Sequence, residues 1–143
     1  MSIRWSNDLA TIDWDELSAL YRVAPLGDKS PADLQLVFGN SLFRAFAFDG
    51  VRLVGAGRVL ADGRDCAYLC DIAVLPSHRR TGLGKEIVAR LLGLSRGHRK
   101  IILYSVPGTE SFYEAFGFRR MTTAMAIFED QAAAFARGYL TGI

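Results

Sequence analysis

Asp71-Ile72-Ala73-Val74-Leu75-Pro76-Ser77-His78-Arg79-Arg80-Thr81-Gly82-Leu83-Gly84-Lys85 is the stretch on which the fold turns. It leaves an apolar run of strand length, Ala67 to Val74, and Pro76, with no amide hydrogen to give a ladder, ends that strand. Beyond it, Leu83, Ile87, Val88, Leu91 and Leu92 recur at helical spacing on one face. Gly93 and Gly97 then precede a second apolar run, Ile101 to Val106. A strand, a helix and a strand in this order make a right-handed crossover, which sets the two strands parallel.

Toward the N-terminus the period is two. Phe46 and Phe48 alternate with alanines from Arg44, Asp49-Gly50 supplies a tight turn, and Val51 to Leu60 continues extended. Asp62-Gly63 turns the chain again into Ala67, so three antiparallel strands precede the crossover. Ile3-Arg4-Trp5 reads as a further short strand, and Trp14, Leu17, Leu20 and Tyr21 mark a helix over about Asp13 to Arg22. Ser30-Pro31-Ala32-Asp33 combines a capping hydroxyl, a first-turn proline and a carboxylate at the positive end of the dipole, which starts a helix from Pro31 to about Phe38. Toward the C-terminus, a helix over about Thr109 to Phe116 ends at Gly117, Arg119 to Glu129 alternates as a last strand, and the alanine-rich Gln131 to Tyr139 reads as a helix. Without internal repeats, these elements make a single α+β domain over residues 1–143, a mixed sheet flanked by helices.

Composition narrows the function. Half of the 143 residues are hydrophobic and 22% are charged, which suits one compact core and excludes a disordered chain. A net charge of +2, scattered along the chain, points to neither nucleic acid nor membrane. The basic group Arg96, His98, Arg99 and Lys100 lacks the aromatic set that stacks on bases. The first residues form neither a secretory signal nor an anchor, so the cytoplasm is the expected location. Cys66 and Cys70 stand roughly 13 Å apart on a strand that rises ~3.3 Å per residue, too far to bridge, and read as buried free thiols. His78 and His98 have no partners at ligand spacing, so no metal is expected.

The segment between Val74 and the following helix is a candidate phosphate cradle. Gly82 and Gly84 let a ligand approach the backbone, the first-turn amides and the dipole favour an anion, and Arg79, Arg80 and Lys85 add charge that a helix N-terminus would otherwise disfavour. A dinucleotide fingerprint requires a third glycine and an acidic residue ~20 positions on, where Ile101 and Ile102 stand. A nucleoside-triphosphate loop requires Ser or Thr after Gly84-Lys85, where Glu86 stands.

Asp71 to Gly84 resembles motif A of the GNAT superfamily of N-acetyltransferases, and Phe112-Tyr113-Glu114-Ala115-Phe116-Gly117-Phe118 resembles its motif B, in family order. The resemblance implies a central mixed sheet splayed between the two parallel strands to admit acetyl-CoA. It places the backbone of Ile72, Ala73 and Val74 along the pantetheine arm, and Arg79, Arg80, Thr81, Gly82, Leu83 and Gly84 around the pyrophosphate, with Lys85 extending the cradle. It also implies transfer of an acetyl group to a primary amine by direct attack in a ternary complex, with Tyr113 at the departing thiolate. The alternative is a non-catalytic acyl-CoA-binding regulatory module.

The chemistry needs an oxyanion donor, a leaving group and a neutral amine. A strand amide near Val74 can serve the first. A thiol has a pKa of ~8.5 and a tyrosine ~10, so full transfer of the Tyr113 proton is uphill by roughly 2 kcal/mol, and hydrogen-bond donation to the developing charge is the favoured role. For the amine proton, Asp71, Tyr68 and a water chain are open. Strand alternation sets Asp71 and Tyr68 on opposite faces, and Asp71 is better suited to satisfying nearby backbone amides. Cys66 and Cys70 have no activating histidine nearby in sequence, which disfavours an acetyl-cysteine intermediate. Asp28, Asp33 and Asp49 could favour a cationic acceptor, but surface carboxylates are usually just solvated. Small amines, polyamines, aminoglycosides, arylalkylamines and protein lysines stay open as acceptors, as do acyl groups other than acetyl. The last strand and the tail residues Phe135 and Tyr139 suit either a homodimer contact or packing on their own sheet.

Overall fold

The structure, a computed structural model, describes residues 2–142. Two compact units are distinguished, Met1–Leu103 and Tyr104–Ile143.

The first unit is a five-stranded mixed sheet with helices. Its strands are β1 (Ile3–Ser6), β2 (Phe43–Asp49), β3 (Arg52–Ala61), β4 (Cys66–Val74) and β5 (Lys100–Ile102), and they lie in the order β1-β2-β3-β4-β5. All neighbours are antiparallel except β4 and β5, which are parallel. The helices are α1 (Trp14–Val23), α2 (Pro31–Gly39) and α3 (Leu83–Ser95). Capping follows the sequence closely: Asp13 accepts the amides of Asp15 and Glu16, and Ser30 Oγ accepts that of Asp33 at 3.1 Å. Gly50, at φ 62°, makes the β2–β3 turn.

The core lies on both faces of the sheet. Leu17, Leu20 and Tyr21 of α1 and Leu34 and Phe38 of α2 are buried, and Phe38 stacks on Phe46 at 5.3 Å. Leu83, Ile87, Val88 and Leu91 of α3 are buried as well. The helix comes so near the sheet that β3 carries glycine at two alternate positions facing it. A Cβ on Gly55 would stand 2.8 Å from Ile87 Cδ1, and one on Gly57 would stand 2.8 Å from Leu91 Cδ1, 3.1 Å from Ile87 Cγ2 and 3.3 Å from Ile72 Cγ1. With close neighbours on several sides in a packed interior, Gly57→Ala is expected to lose about 1–3 kcal/mol in urea unfolding. Gly93→Ala, whose Cβ meets nothing within 4 Å inside α3, is expected to gain up to about 1 kcal/mol.

The second unit holds α4 (Glu110–Glu114) and α5 (Gln131–Ala136). Phe112, Tyr113, Phe116 and Phe118 meet edge to face, with Phe112 and Tyr113 5.0 Å apart. Tyr104, Phe128 and Tyr139 form another ring cluster.

Three expectations are corrected. Arg119 to Glu129 forms no strand: alternation supplies a pattern of faces, but a strand exists only with a ladder partner, and the described residues of this unit contain none. Met125 and Ile127 are accordingly 96% exposed. The run Ile101 to Val106 is a strand only over Lys100–Ile102, because pairing with β4 stops at Tyr68↔Ile102. The tail helix ends at Ala136, and Gly138, at φ 82°, turns the chain away.

Among the described residues no helix is long and apolar enough to cross a membrane, and no group of three or more His, Cys, Asp and Glu side chains is placed to hold a metal ion.

Candidate active site

β4 is paired along its whole length on one side and only at its start on the other. Against β3 it runs from Ala67↔Ala61 to Val74↔Gly55, whereas β5 covers only Cys66 to Tyr68. From Leu69 to Val74 its second edge has no strand partner among the described residues. The amide of Leu75 donates to Val54 on the β3 side at 2.9 Å, so alternation turns the polar backbone groups of Val74 to the open edge. An extended chain laid there finds donors and acceptors as a further strand would.

A β-bulge shapes the same segment. The register passes from Arg58↔Cys70 to Ala56↔Ala73, which leaves Asp71 and Ile72 opposite Gly57 alone. Asp71 pays for this with a left-handed backbone, φ 57°, and the Tyr21 hydroxyl donates to its carbonyl oxygen at 2.7 Å. Its carboxylate accepts from Arg58 Nε at 2.7 Å and lies 3.6 Å from Lys29 Nζ. The expectation that Asp71 satisfies backbone amides is therefore corrected: its carboxylate meets two cations. The expected opposition of Asp71 and Tyr68 is corrected too. Arg58 stands opposite Cys70 and reaches Asp71, so the bulge puts Asp71 on the face of Cys70, which period two makes the face of Tyr68.

Burial governs the groups here. It raises the Tyr21 phenol well above its ordinary range, with the Asp71 charge adding to it, and pushes the Cys70 thiol up to about 11. Burial works to lower the Arg58 pKa, but Asp71 beside it prevails and holds it above the usual value. Both cysteines are free thiols, partly buried.

The cradle residues follow directly. After a 3-10 turn at Pro76–His78, Arg80 is left-handed at φ 63°, and Gly82 stands ahead of α3 at φ 86° with no side chain to cap it. Helical bonding begins with the Glu86 amide on the Gly82 carbonyl, so the amides of Leu83, Gly84 and Lys85 precede the first bond and are open to an anion. A Cβ on Gly82 would meet nothing within 4 Å, which leaves room for a ligand at the backbone. Arg80, Thr81 and Lys85 are exposed, Leu83 is buried in the core, and Gly84 is half-buried. Arg79 Nη2 donates to the Ala24 carbonyl at 2.9 Å and Thr81 Oγ1 to the His78 carbonyl at 2.6 Å, which fix the loop. Ile72 and Val74 are half-buried and Ala73 is buried. The open β4 edge and the uncapped helix are thus joined by eight residues of ordered loop, 75–82. They fit a ligand with an extended amide-bearing arm ending in a pyrophosphate.

Tyr113 lies in α4 of the second unit, half-buried between Phe112 and Phe118. Burial raises its phenol pKa, so it stays protonated at neutral pH.

Several residues escape a reading of the sequence alone. His78 is buried, with Nε2 2.9 Å from Asp49 Oδ2 and Nδ1 2.8 Å from Ser77 Oγ, and so ties the loop before the cradle to the end of β2. Tyr21 and Lys29 gather at the bulge without any local signal. Arg58 has one: a guanidinium between Gly57 and Val59 in an apolar strand demands a partner. Asp28, Asp33 and Asp49 do not assemble, since Asp28 pairs with Arg22, Asp33 sits in the first turn of α2 and Asp49 holds His78. A cavity of about 450 Å³ lined by Trp5, Arg44 and Arg90 includes none of the motif residues.

Comparison with known proteins agrees with this geometry. An uncharacterized N-acetyltransferase ycf52-like protein of Prochlorococcus marinus is 26% identical over 118 residues, 78% of this chain and 66% of that protein. A glucosamine 6-phosphate N-acetyltransferase of Trypanosoma brucei brucei is 37% identical over 76 residues, 48% of this chain and 52% of that protein. The chain spans roughly half to two thirds of the length of the curated relatives it matches. Among solved structures, a probable acetyltransferase of meticillin-resistant Staphylococcus aureus superposes with a TM-score of 0.80 at 23% identity, covering 90% of this chain and 99% of that one, a likeness of fold. The model of the acetyltransferase (GNAT) family matches residues 7–118, and by that match the chain belongs to the GNAT family.

Proposed function

We propose that residues 1–143 form one cytoplasmic, acetyl-CoA-dependent N-acetyltransferase domain, in which a primary amine attacks directly within a ternary complex. The observation that carries this reading is the open, bulged edge of β4 leading without a break into the uncapped N-terminus of α3. Ile72, Ala73 and Val74 would hold the arm, and the loop from Arg79 with the first turn of α3 through Lys85 would hold the pyrophosphate. When bound, acetyl-CoA supplies a thioester carbonyl carbon open to an amine. The outward amide of Val74 is the candidate donor to its oxygen.

The residues around the bulge limit the remaining steps. Cys70, with its thiol pushed up to about 11, is almost wholly protonated at neutral pH, which favours direct attack over an acetyl-cysteine intermediate. The Asp71 carboxylate is engaged by Arg58 and Lys29, and the Tyr21 hydroxyl is committed to the Asp71 carbonyl. A water chain to solvent is the proposed route for the amine proton. Tyr113, kept protonated by burial, is suited to donate a hydrogen bond to the departing thiolate.

Calorimetric titration with acetyl-CoA, against free CoA and NAD, tests the reading, followed by CoA release over a panel of amines. Selective acetyl-CoA binding with amine-dependent release is expected, and binding without release under any amine would leave a non-catalytic module. In Tyr113→Phe, loss of one hydrogen bond to a developing charge of ~1.5–3 kcal/mol is expected to lower kcat about 10- to 100-fold with little change in the KM for acetyl-CoA. Unchanged turnover in an assay limited by chemistry would remove Tyr113 from the mechanism.

A further inference from the structure

Resting on the acetyltransferase reading, we infer that the acceptor amine carries an anionic substituent, a phosphate or carboxylate, and that Lys29 is the residue that receives it. The inference comes from the charge that the fold gathers on the α1–α2 side of the β4 bulge. Lys29 and Arg58 each bring a positive charge and Asp71 brings one negative charge, which leaves one net positive charge among these three at the bulge. Arg44, opposite Arg58 across β2 and β3, adds a further positive charge to this face, its guanidinium bonded to the Asn7, Phe38 and Ser41 carbonyls, while Tyr21 from α1, Ser41 ahead of β2 and Cys70 from β4 are neutral. Asp28, next to Lys29 in sequence, is turned to Arg22 in an exposed pair.

The two cations beside Asp71 are unequal. Arg58 Nε is hydrogen-bonded to Asp71 at 2.7 Å, its Nη1 donates to Ser41 Oγ at 3.3 Å, and its side chain is only 13% exposed. It is spent on the fold. Lys29 Nζ stands 3.6 Å from Asp71 Oδ1, beyond a good hydrogen bond, and its side chain is 31% exposed. An ammonium has three donors, and beyond the Asp71 carboxylate its neighbour is the Tyr21 ring, 5.8 Å from Nζ, which leaves donors for a further acceptor. Its backbone is nevertheless fixed, since the buried Ser18 hydroxyl donates to the Lys29 carbonyl. A positioned, incompletely paired ammonium at the mouth of a bulged strand is suited to bind an oxyanion.

The same charge aids the chemistry. A net positive face disfavours the ammonium form of a bound acceptor, which lowers its pKa and supplies the neutral amine that no nearby carboxylate is free to make. A simple polyamine would meet repulsion there, whereas an amine with its own anion brings compensating charge.

Matched amines test this: glucosamine against glucosamine 6-phosphate, and propylamine against β-alanine, each measured as kcat/KM by CoA release at low and at high salt. The expected result is a preference of about tenfold or more for an anionic member at low salt, shrinking as salt screens the charge. The two pairs separate phosphate from carboxylate. In Lys29→Met the preference should fall about tenfold through the acceptor KM, and Lys29→Arg should restore most of it. Thermal melting of both variants shows that they fold. A parent that favours the uncharged members, or a Lys29→Met loss equal for both members of each pair, overturns the inference while leaving the acetyltransferase intact. Absence of acetyl-CoA binding and of turnover with every amine overturns both.

Discussion

Gly84→Glu is expected to lose acetyl-CoA binding by a factor of 100 or more, on the order of 3 kcal/mol, while the protein stays folded. Gly84 is the second residue of α3, and its amide is among those that precede the first helical bond. A glutamate there puts a carboxylate where the cradle would hold phosphate, and adds bulk where the backbone must be approached. The same change favours the helix. Glutamate is a better helix former than glycine by ~0.5–1 kcal/mol, and an acidic side chain in the first turn interacts well with the dipole. Binding and stability should therefore move in opposite directions. Calorimetry with acetyl-CoA reads the first and a thermal melt reads the second. A variant that binds as the parent does would place the pyrophosphate elsewhere.

Arg58→Met is expected to cost about 3 kcal/mol, a fall in Tm of roughly 10 °C for a chain of this length. Arg58 and Asp71 are 13% and 16% exposed, so removing the guanidinium leaves a carboxylate in the interior with only Lys29, 3.6 Å away, to offset it. The loss is one of unpaired charge more than of the ion pair itself. Arg58→Met/Asp71→Asn should therefore recover about half of it or more, because the neutral amide removes the charge and asparagine tolerates the left-handed backbone of residue 71. Urea unfolding of the two single variants and the double variant gives the cycle. If the double variant is no more stable than Arg58→Met, the loss is not one of unpaired charge.

These two results bear on different kinds of information in the chain. The cradle could be read locally. Gly82 and Gly84 at the head of an apolar helical stripe, with Arg79, Arg80 and Lys85 beside them, specify their geometry through neighbours in sequence, and the structure places Gly82 and the α3 amides accordingly. The hairpin at Asp49-Gly50 and the Ser30 cap follow for the same reason. A turn or a cap is a contract between residues a few positions apart.

Where the reading failed, a partner distant in sequence was decisive. Arg119 to Glu129 has the alternation of a strand, but alternation assigns faces and cannot supply a ladder. The face of Asp71 was misassigned because period two holds only while the ladder is regular. The bulge opposite Gly57 arises where β3 and β4 meet, under the close approach of α3 that makes residues 55 and 57 glycine.

By itself the sequence determined the order of elements through β5, the turns, the glycine-led start of α3 and the family to which such motifs belong. Only the tertiary structure decided that Tyr21, Lys29, Arg58 and Asp71, spread over four separate segments, converge on one bulge, where two cations meet one carboxylate. Capping and turn energies depend on near neighbours, whereas the charge of a face is a sum over residues that only folding brings within a few ångströms of one another.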